Sequence, residues 1–145
     1  MKFLIVTILT AVAMFSTSHT LVRSESVLVR AVPAGDAIDV ATIGRVHLLG
    51  ITAPTVRGGA DAAAFGQLAR ERLAGLTLRH WVRLEVPSGA SWHQAYVWRE
   101  DGVFVNALLV REGLAHANTR GSVYRHEELQ RAEHEARTSK RGLWR

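Results

Sequence analysis

One stretch decides the fold of this chain: residues 105–115, which read VNALLVREGLA. Asn106 is a residue type that caps helices, because its side-chain oxygen can accept a free first-turn N–H group. Gly113 is a common helix stop, because glycine adopts the left-handed backbone conformation without strain. The stretch therefore predicts a short helix over residues 107–112, capped by Asn106 and ended by Gly113.

The C-terminal part of the chain predicts one more helix. It runs from about Tyr124 to Ser139 and is stopped by Gly142, after which Leu143 and Trp144 fold back as apolar pins. Residues at helical spacing share its inner face: Leu129, Ala132 and Ala136. His126 and His134 lie in the same helix, where a solvated face is the favoured interpretation over a zinc site because no third ligand is evident.

The part before residue 105 is mainly strand-like. Strands are predicted over Val27–Val29, Ala37–Val40, Arg45–Ile51, Leu78–Val86 and Ala95–Trp98. Apolar and polar residues alternate along residues 78–86, which is typical of a strand with one buried face. His80 falls on the apolar face of that strand, so a half-buried, hydrogen-bonded histidine is expected there.

A further helix is predicted between the third and fourth strands. Asp61 is a good N-cap for it, because a carboxylate accepts free first-turn N–H groups, and Gly75 is a plausible end. Its buried face is predicted to consist of Phe65, Leu68, Ala69 and Leu73. The order of elements predicts an α+β fold: a five-stranded OB-type β-barrel with three α-helices.

The N-terminus reads as an export signal. Residues 3–15 carry no charge and follow Lys2, and this run is shorter than the roughly 20 residues that a membrane-spanning helix needs. Residues 1–18 are therefore predicted to be a signal peptide or, alternatively, an uncleaved anchor, preceding a domain over residues 25–145. Either alternative predicts an exported protein, periplasmic or secreted.

The amino-acid composition excludes several kinds of functional site. The chain has 145 residues, a formal net charge of +5 and no cysteine. Absence of cysteine excludes disulfides, thiolate metal sites and a cysteine nucleophile. The basic excess is compatible with an anionic partner, but an arginine-rich composition without a ligand explains it equally well.

Several stretches together resemble the thermonuclease (micrococcal nuclease-like) family. They are GDAI at 35–38, VHLLGITAPT at 46–55, VNALLVREGLA at 105–115 and the closing GLW at 142–144. The resemblance covers about residues 25–145. It implies an OB-type barrel and, for the family, calcium-assisted hydrolysis of phosphodiester bonds.

The resemblance also implies where the functional residues of the family would lie. Its two metal-binding aspartates fall on Asp36 and Thr52, and its general-base glutamate falls on Thr55. Its two phosphate-binding arginines fall on His47 and Trp92. Only Asp36 retains the residue type of the family, which leaves a weak and incomplete metal site.

We therefore expect a catalytically impaired thermonuclease-like domain that acts as a binding or scaffold module and needs no cofactor. The expected partners are nucleic acid, another polyanion or an envelope protein, with membrane contact only where the leader stays uncleaved. The candidate cleft comprises Asp36, His47, Thr52, Thr55, Arg57, Trp92 and His93.

Two alternatives remain open. The first is a divergent, metal-dependent nuclease or phosphodiesterase that uses Ca²⁺, with Asp36, His47 and His93 joined by a relocated guanidinium from Arg57. The second is a structural envelope protein in which the cleft has no role. Trp92 is open to two interpretations as well, since an indole either stacks on a base or packs over the edge of the barrel.

Overall fold

The structure, a computed structural model, describes residues 20–118, 120 and 124–145, with the side chain of Val56 left aside. The predicted signal segment over residues 1–18 lies outside the described residues. Within the described part of the chain, no helix combines the length and the apolar character needed to cross a membrane.

Eight strands and three helices make up the described fold. The strands are β1 (Leu21–Arg23), β2 (Val27–Ala34), β3 (Ala37–Val40), β4 (Gly44–Leu48), β5 (Ile51–Thr52), β6 (Trp81–Pro87), β7 (Gln94–Arg99) and β8 (His116–Ala117). The helices are α1 (Ala60–Thr77), α2 (Val105–Arg111) and α3 (His126–Thr138), with single 3-10 turns at Val56–Gly58 and Gly142–Trp144.

Five strands close into a barrel, in the order β6-β2-β3-β4-β7, and the pairing of β7 with β6 completes the ring. The pairs are antiparallel except β4 with β7, which is parallel. β1 continues the line of β2 along the same edge of β6. The predicted α+β fold, a five-stranded OB-type barrel with three helices, is confirmed.

Helix α2, which was predicted from residues 105–115, packs onto this barrel, although its cap differs from the prediction. The helix begins at Val105 after Phe104, so Asn106 lies inside the first turn and does not cap it. Asn106 is fully buried: its Oδ1 accepts the Val97 N–H at 2.9 Å and its Nδ2 donates to the Leu49 carbonyl at 2.8 Å. The carboxamide therefore joins α2 to two segments of the barrel.

The first helix is longer than predicted. It begins at Ala60 after Gly59, so Asp61 lies in the first turn and is not the cap, and it continues through Gly75 to Thr77. The Thr77 hydroxyl donates to the Leu73 carbonyl at 2.7 Å. The side chain of Leu68 is 47% exposed, contrary to prediction. The buried face consists of Ala69, Leu73, Leu76 and Thr77.

The strand predictions are right in outline and wrong at several ends. The run from Arg45 to Ile51 breaks at Gly50, whose positive φ of 78° turns the chain between β4 and β5. β6 begins at Trp81, so His80 precedes the strand and is exposed. β1 and β8, of three and two residues, were not predicted. In α3, the inner face of Leu129, Ala132 and Ala136 is buried as predicted.

Candidate functional site

A cavity of about 260 Å³ opens where β3, β4 and the start of β7 meet. Its lining consists of Asp36, His47, Leu48, Leu49, Gly50, Ile51, Gln94, Asn118 and Arg120. The strand register explains the convergence, because His47 lies opposite both Ala37 and Gln94. The Leu48 N–H donates to the Asp36 carbonyl at 2.8 Å, which holds the turn before β3 against β4.

The carboxylate of Asp36 is already engaged in the fold. Its Oδ2 accepts the Ala53 N–H at 3.0 Å, so it anchors the segment that follows β5. Asp39, three residues further on, faces elsewhere and pairs with Arg45 at 2.6 Å. The hydrogen bond from Arg45 lowers the pKa of Asp39. Arg45, the arginine nearest to His47 in the sequence, is thus bound to Asp39.

The two histidines lie side by side through their backbones. The His47 N–H donates to the His93 carbonyl at 2.8 Å, and the His47 side chain is exposed. The Nδ1 atom of His93 lies 2.8 Å from the Arg45 carbonyl oxygen. Because a carbonyl can only accept, Nδ1 is the donor in this contact. His93 thus braces the rim of β4 and is not part of the cavity lining.

Other predicted residues lie around the cavity rather than in it. Trp92 is half buried and packs against the core. This agrees with the interpretation that its indole packs over the edge of the barrel. Thr55 is exposed, and its carbonyl accepts the Gly58 N–H at 3.1 Å to form the 3-10 turn that carries exposed Arg57. Thr52 reaches the cavity only through a long contact of 3.4 Å from the amide of Asn118.

Three polar lining residues were missed by sequence reasoning: Gln94, Asn118 and Arg120. The pairing of β8 with β5 places residues after His116 beside residues 50–52, and the Asn118 N–H donates to the Gly50 carbonyl at 2.7 Å. A two-residue strand has no periodic signal in the sequence. The polar types of Asn118 and Arg120 were the available hint, and only the structure shows that both line the cavity of Asp36.

Comparison with models of protein families shows to which family this chain belongs. The model of the staphylococcal nuclease homologues matches residues 45–145, well over half of the sequence. The chain belongs to the staphylococcal nuclease family. No curated protein is significantly similar to it. The match includes His47, Thr52, Thr55 and Trp92, whereas Asp36 precedes it, so its correspondence rests on the turn at 35–38 alone.

The resemblance to the thermonucleases implies a calcium ion in this cavity, and the lining residues show whether such an ion would fit. Calcium prefers six to eight oxygen ligands with several carboxylates among them. Among the described lining residues, Asp36 is the only carboxylate, and it is bonded to Ala53. The described residues contain no group of three histidine, aspartate or glutamate side chains placed to hold a metal. This donor set does not fit calcium.

The lining instead favours an anion. Arg120 supplies a guanidinium, His47 an imidazole, and Gln94 and Asn118 supply amide donors. Planar guanidinium groups match phosphate oxygens in pairs of parallel hydrogen bonds. This staphylococcal nuclease domain thus has hydrogen-bond donors around its cavity and one carboxylate, Asp36, which accepts a hydrogen bond from the Ala53 N–H.

Proposed function

We propose that this protein is an exported staphylococcal nuclease domain that binds a phosphate-bearing polyanion in its cavity without hydrolysing it. One observation carries the proposal: Asp36, already bonded to the Ala53 amide, faces a cavity whose other polar lining residues supply hydrogen-bond donors. Nucleic acid is the first candidate ligand, since it offers repeated phosphodiesters to such a cavity.

Loss of hydrolysis follows from the residues at the family positions. Thr55 lacks the basicity to activate water, and Thr52 gives a metal no charge. His47 and Trp92 replace the two arginines. Removing one transition-state donor typically lowers the rate by about 10²–10³. Several such losses together remove most of the catalysis, and a cavity that binds substrate but not its transition state does not accelerate the reaction.

Retention of binding follows from Arg120 and His47. Neither side chain has an ion-pair partner among the described residues, so both remain available to a phosphate group. The formal net charge of +5 favours the approach of any polyanion. An envelope protein with an acidic surface would use the same donors, and membrane contact would need an uncleaved leader.

A second candidate function is a divergent phosphodiesterase, and Arg120 is the observation that favours it. Arg120, Asp36 and His47 line one cavity, which brings together a guanidinium, a carboxylate and an imidazole. A guanidinium stabilises charge on a phosphorane-like transition state, and a histidine can act as general base. This candidate uses Arg120 where Arg57 was expected from the sequence.

A cleavage panel separates the two functions. The purified domain is incubated with single-stranded DNA, duplex DNA and RNA, each with calcium, magnesium, manganese or a chelator. We expect intact substrates in every condition and salt-sensitive binding that His47→Ala and Arg120→Ala weaken. Cleavage that stops in Asp36→Ala and His47→Ala would establish the phosphodiesterase instead. Gln130→Ala, an exposed substitution on α3, controls for non-specific loss.

A further inference from the structure

The barrel carries a second polar and aromatic surface, far from the cavity of Asp36. Trp81, the first residue of β6, is the most exposed large apolar side chain among the described residues, at 55%. It lies beside a cavity of about 290 Å³, lined by Arg79, His80, Trp81, Arg99, Glu100 and Asp101. An indole this exposed lies outside the buried core and offers a flat face for stacking.

Arginines without partners flank the indole. Arg83 is exposed on the same outward face of β6, two residues after Trp81, and Arg79 lies two residues before Trp81. The side chains of Arg79 and Arg83 form no ion pair or hydrogen bond with any described residue. Arg79, Trp81 and Arg83 together form the Trp81 surface.

The acidic residues beside this surface are occupied. Asp101 pairs with Arg99 at 3.2 Å, and Glu100 accepts a hydrogen bond from the Ser26 hydroxyl. The charge of Asp101 is therefore offset by Arg99, whereas Glu100 is bonded to a neutral hydroxyl and keeps its charge. Arg79, Arg83 and Arg99 together still outnumber these two carboxylates, and the guanidiniums of Arg79 and Arg83 have no partner among the described residues. The surface as a whole offers positive charge around a stacking platform.

Arg79 has a backbone conformation that favours glycine. It follows Leu78, the C-cap of α1, with a φ of 62°, and its N–H donates to the Val29 carbonyl at 2.9 Å. This is the position at which glycine commonly ends a helix, and a side chain there costs conformational free energy. Glycine at this position would therefore remove the guanidinium without straining the backbone.

We propose that the Trp81 surface binds single-stranded nucleic acid, with a base stacked on Trp81 and the flanking phosphates bound by Arg79 and Arg83. Stacking on exposed aromatics combined with phosphate contacts from arginine is how many proteins hold single strands without reading their sequence. A duplex hides the faces of its bases, so the surface discriminates against it.

This surface is separate from the cavity and does not depend on the proposed function of the cavity. Gln94 lines the cavity at the start of β7, and Arg99 lines the Trp81 pocket at its end. Six residues of strand place the two about 17 Å apart. A single strand of several nucleotides could bind at either place alone.

The test is equilibrium binding of a fluorescein-labelled oligo-dT of about 15 nucleotides to the full domain. Trp81→Ala is expected to lower affinity about tenfold, the loss typical of one stacked base, and Trp81→Phe to restore most of it. Leu68→Ala, which truncates an exposed apolar side chain on α1, is the matched control and is expected to bind as wild type does.

Arg79→Gly tests the charge without harming the fold. The variant is expected to keep or raise the melting temperature, because glycine suits the left-handed conformation. Its slope of log affinity against log salt is expected to fall by about 0.7, the value for one phosphate contact on a single strand. Arg131→Ala removes an exposed charge from α3 and is expected to leave the slope nearly unchanged.

Three results would overturn the proposal. One is wild-type affinity in Trp81→Ala. Another is an equal loss by that variant with heparin, a polyanion that has no bases. The third is complete loss of binding in the double variant His47→Ala/Arg120→Ala, because the Trp81 surface is unchanged in that variant and should still bind. Failure of the cavity proposal alone looks different, since that double variant would then bind as wild type does while Trp81→Ala still weakens binding.

Discussion

Gly113 and Gly142 meet back to back where α2 ends and the C-terminal turn begins. Both have positive φ, 73° and 53°, and a Cβ atom on Gly113 would collide with the carbonyl of Arg141. A Cβ on Gly142 would collide likewise with the Gly113 carbonyl. That carbonyl accepts the Leu143 N–H at 2.8 Å. This contact holds the C-terminal turn against the end of α2.

Gly113→Ala is therefore expected to lower the free energy of unfolding by about 2–5 kcal/mol. About 1–2 kcal/mol comes from the left-handed conformation, and the remainder comes from forcing two backbones apart. Urea unfolding followed by circular dichroism measures the change.

Gly102→Ala is the matched control for this prediction. Gly102 has a φ of 85°, but an added Cβ would meet nothing within 4 Å. It should lose only the conformational part, about 1–2 kcal/mol. Equal losses at positions 102 and 113 would show that the close approach to Arg141 does not matter for stability.

Asn106→Ala is expected to destabilise the domain by about 2–4 kcal/mol. The substitution leaves the Val97 N–H and the Leu49 carbonyl without their partner inside the protein, and each such buried group costs about 1–3 kcal/mol. The exposed Gln130→Ala should change stability by no more than about 0.5 kcal/mol. A loss confined to that range in Asn106→Ala would contradict the bridging role, and thermal unfolding of both variants decides it.

Glu85 gives the domain an acid-sensitive ion-pair network. It is 2% exposed and accepts hydrogen bonds from Arg23 at 2.9 Å and from Arg125 at 2.9 and 3.1 Å. Burial raises the pKa of Glu85, but the hydrogen bonds and charges of Arg125 and Arg23 outweigh it, so its net pKa is below the ordinary value. A carboxyl group with a lowered folded-state pKa stabilises the fold above its unfolded-state pKa and loses that contribution as the pH falls through the folded-state value.

Glu85→Gln should therefore cost about 2–3 kcal/mol at about pH 7, at the low end for a broken buried pair because Arg23 is half exposed. The difference from wild type should shrink on acidification and be smallest at about pH 3 or below. Urea unfolding across this pH range provides the measurement. A difference that stays constant with pH would rule out the ion-pair explanation.

Calcium is expected to leave the melting temperature unchanged. A ligand that binds only the folded state raises stability by about 2.7 kcal/mol at one hundred times its dissociation constant. The single carboxylate of Asp36, bonded to Ala53, gives the ion little to bind. Melting curves in about 10 mM calcium and in chelator test this. A rise that chelator reverses and Asp36→Ala abolishes would contradict the absence of a calcium site.

The fold was predictable because its signals are local. The apolar run of α2, the alternation in β6 and the inner face of α3 each lie within one short window of sequence. Errors arose where a distant partner decides the outcome. Asn106 has the chemistry of a cap, but its side chain is hydrogen-bonded to the Val97 N–H and the Leu49 carbonyl instead. The two-residue β8 exists only through its pairing with β5.

The candidate site was less predictable, for a related reason. The resemblance located Asp36 and His47, which the β3–β4 pairing brings into one cavity. Arg120 could not be found that way, because it lies far from Asp36 and His47 in the sequence. Arg57 was expected from its closeness in sequence, yet the 3-10 turn places it outside the cavity lining.

The measurement that tests the central claim most directly follows binding and cleavage in one sample. An end-labelled oligonucleotide is titrated with the domain in calcium, its bound fraction is read by anisotropy, and its length is then checked on a denaturing gel. We predict salt-sensitive binding that weakens in His47→Ala and Arg120→Ala, with the oligonucleotide recovered at full length. Shortened oligonucleotide with wild type, and full-length oligonucleotide with Asp36→Ala, would contradict the account.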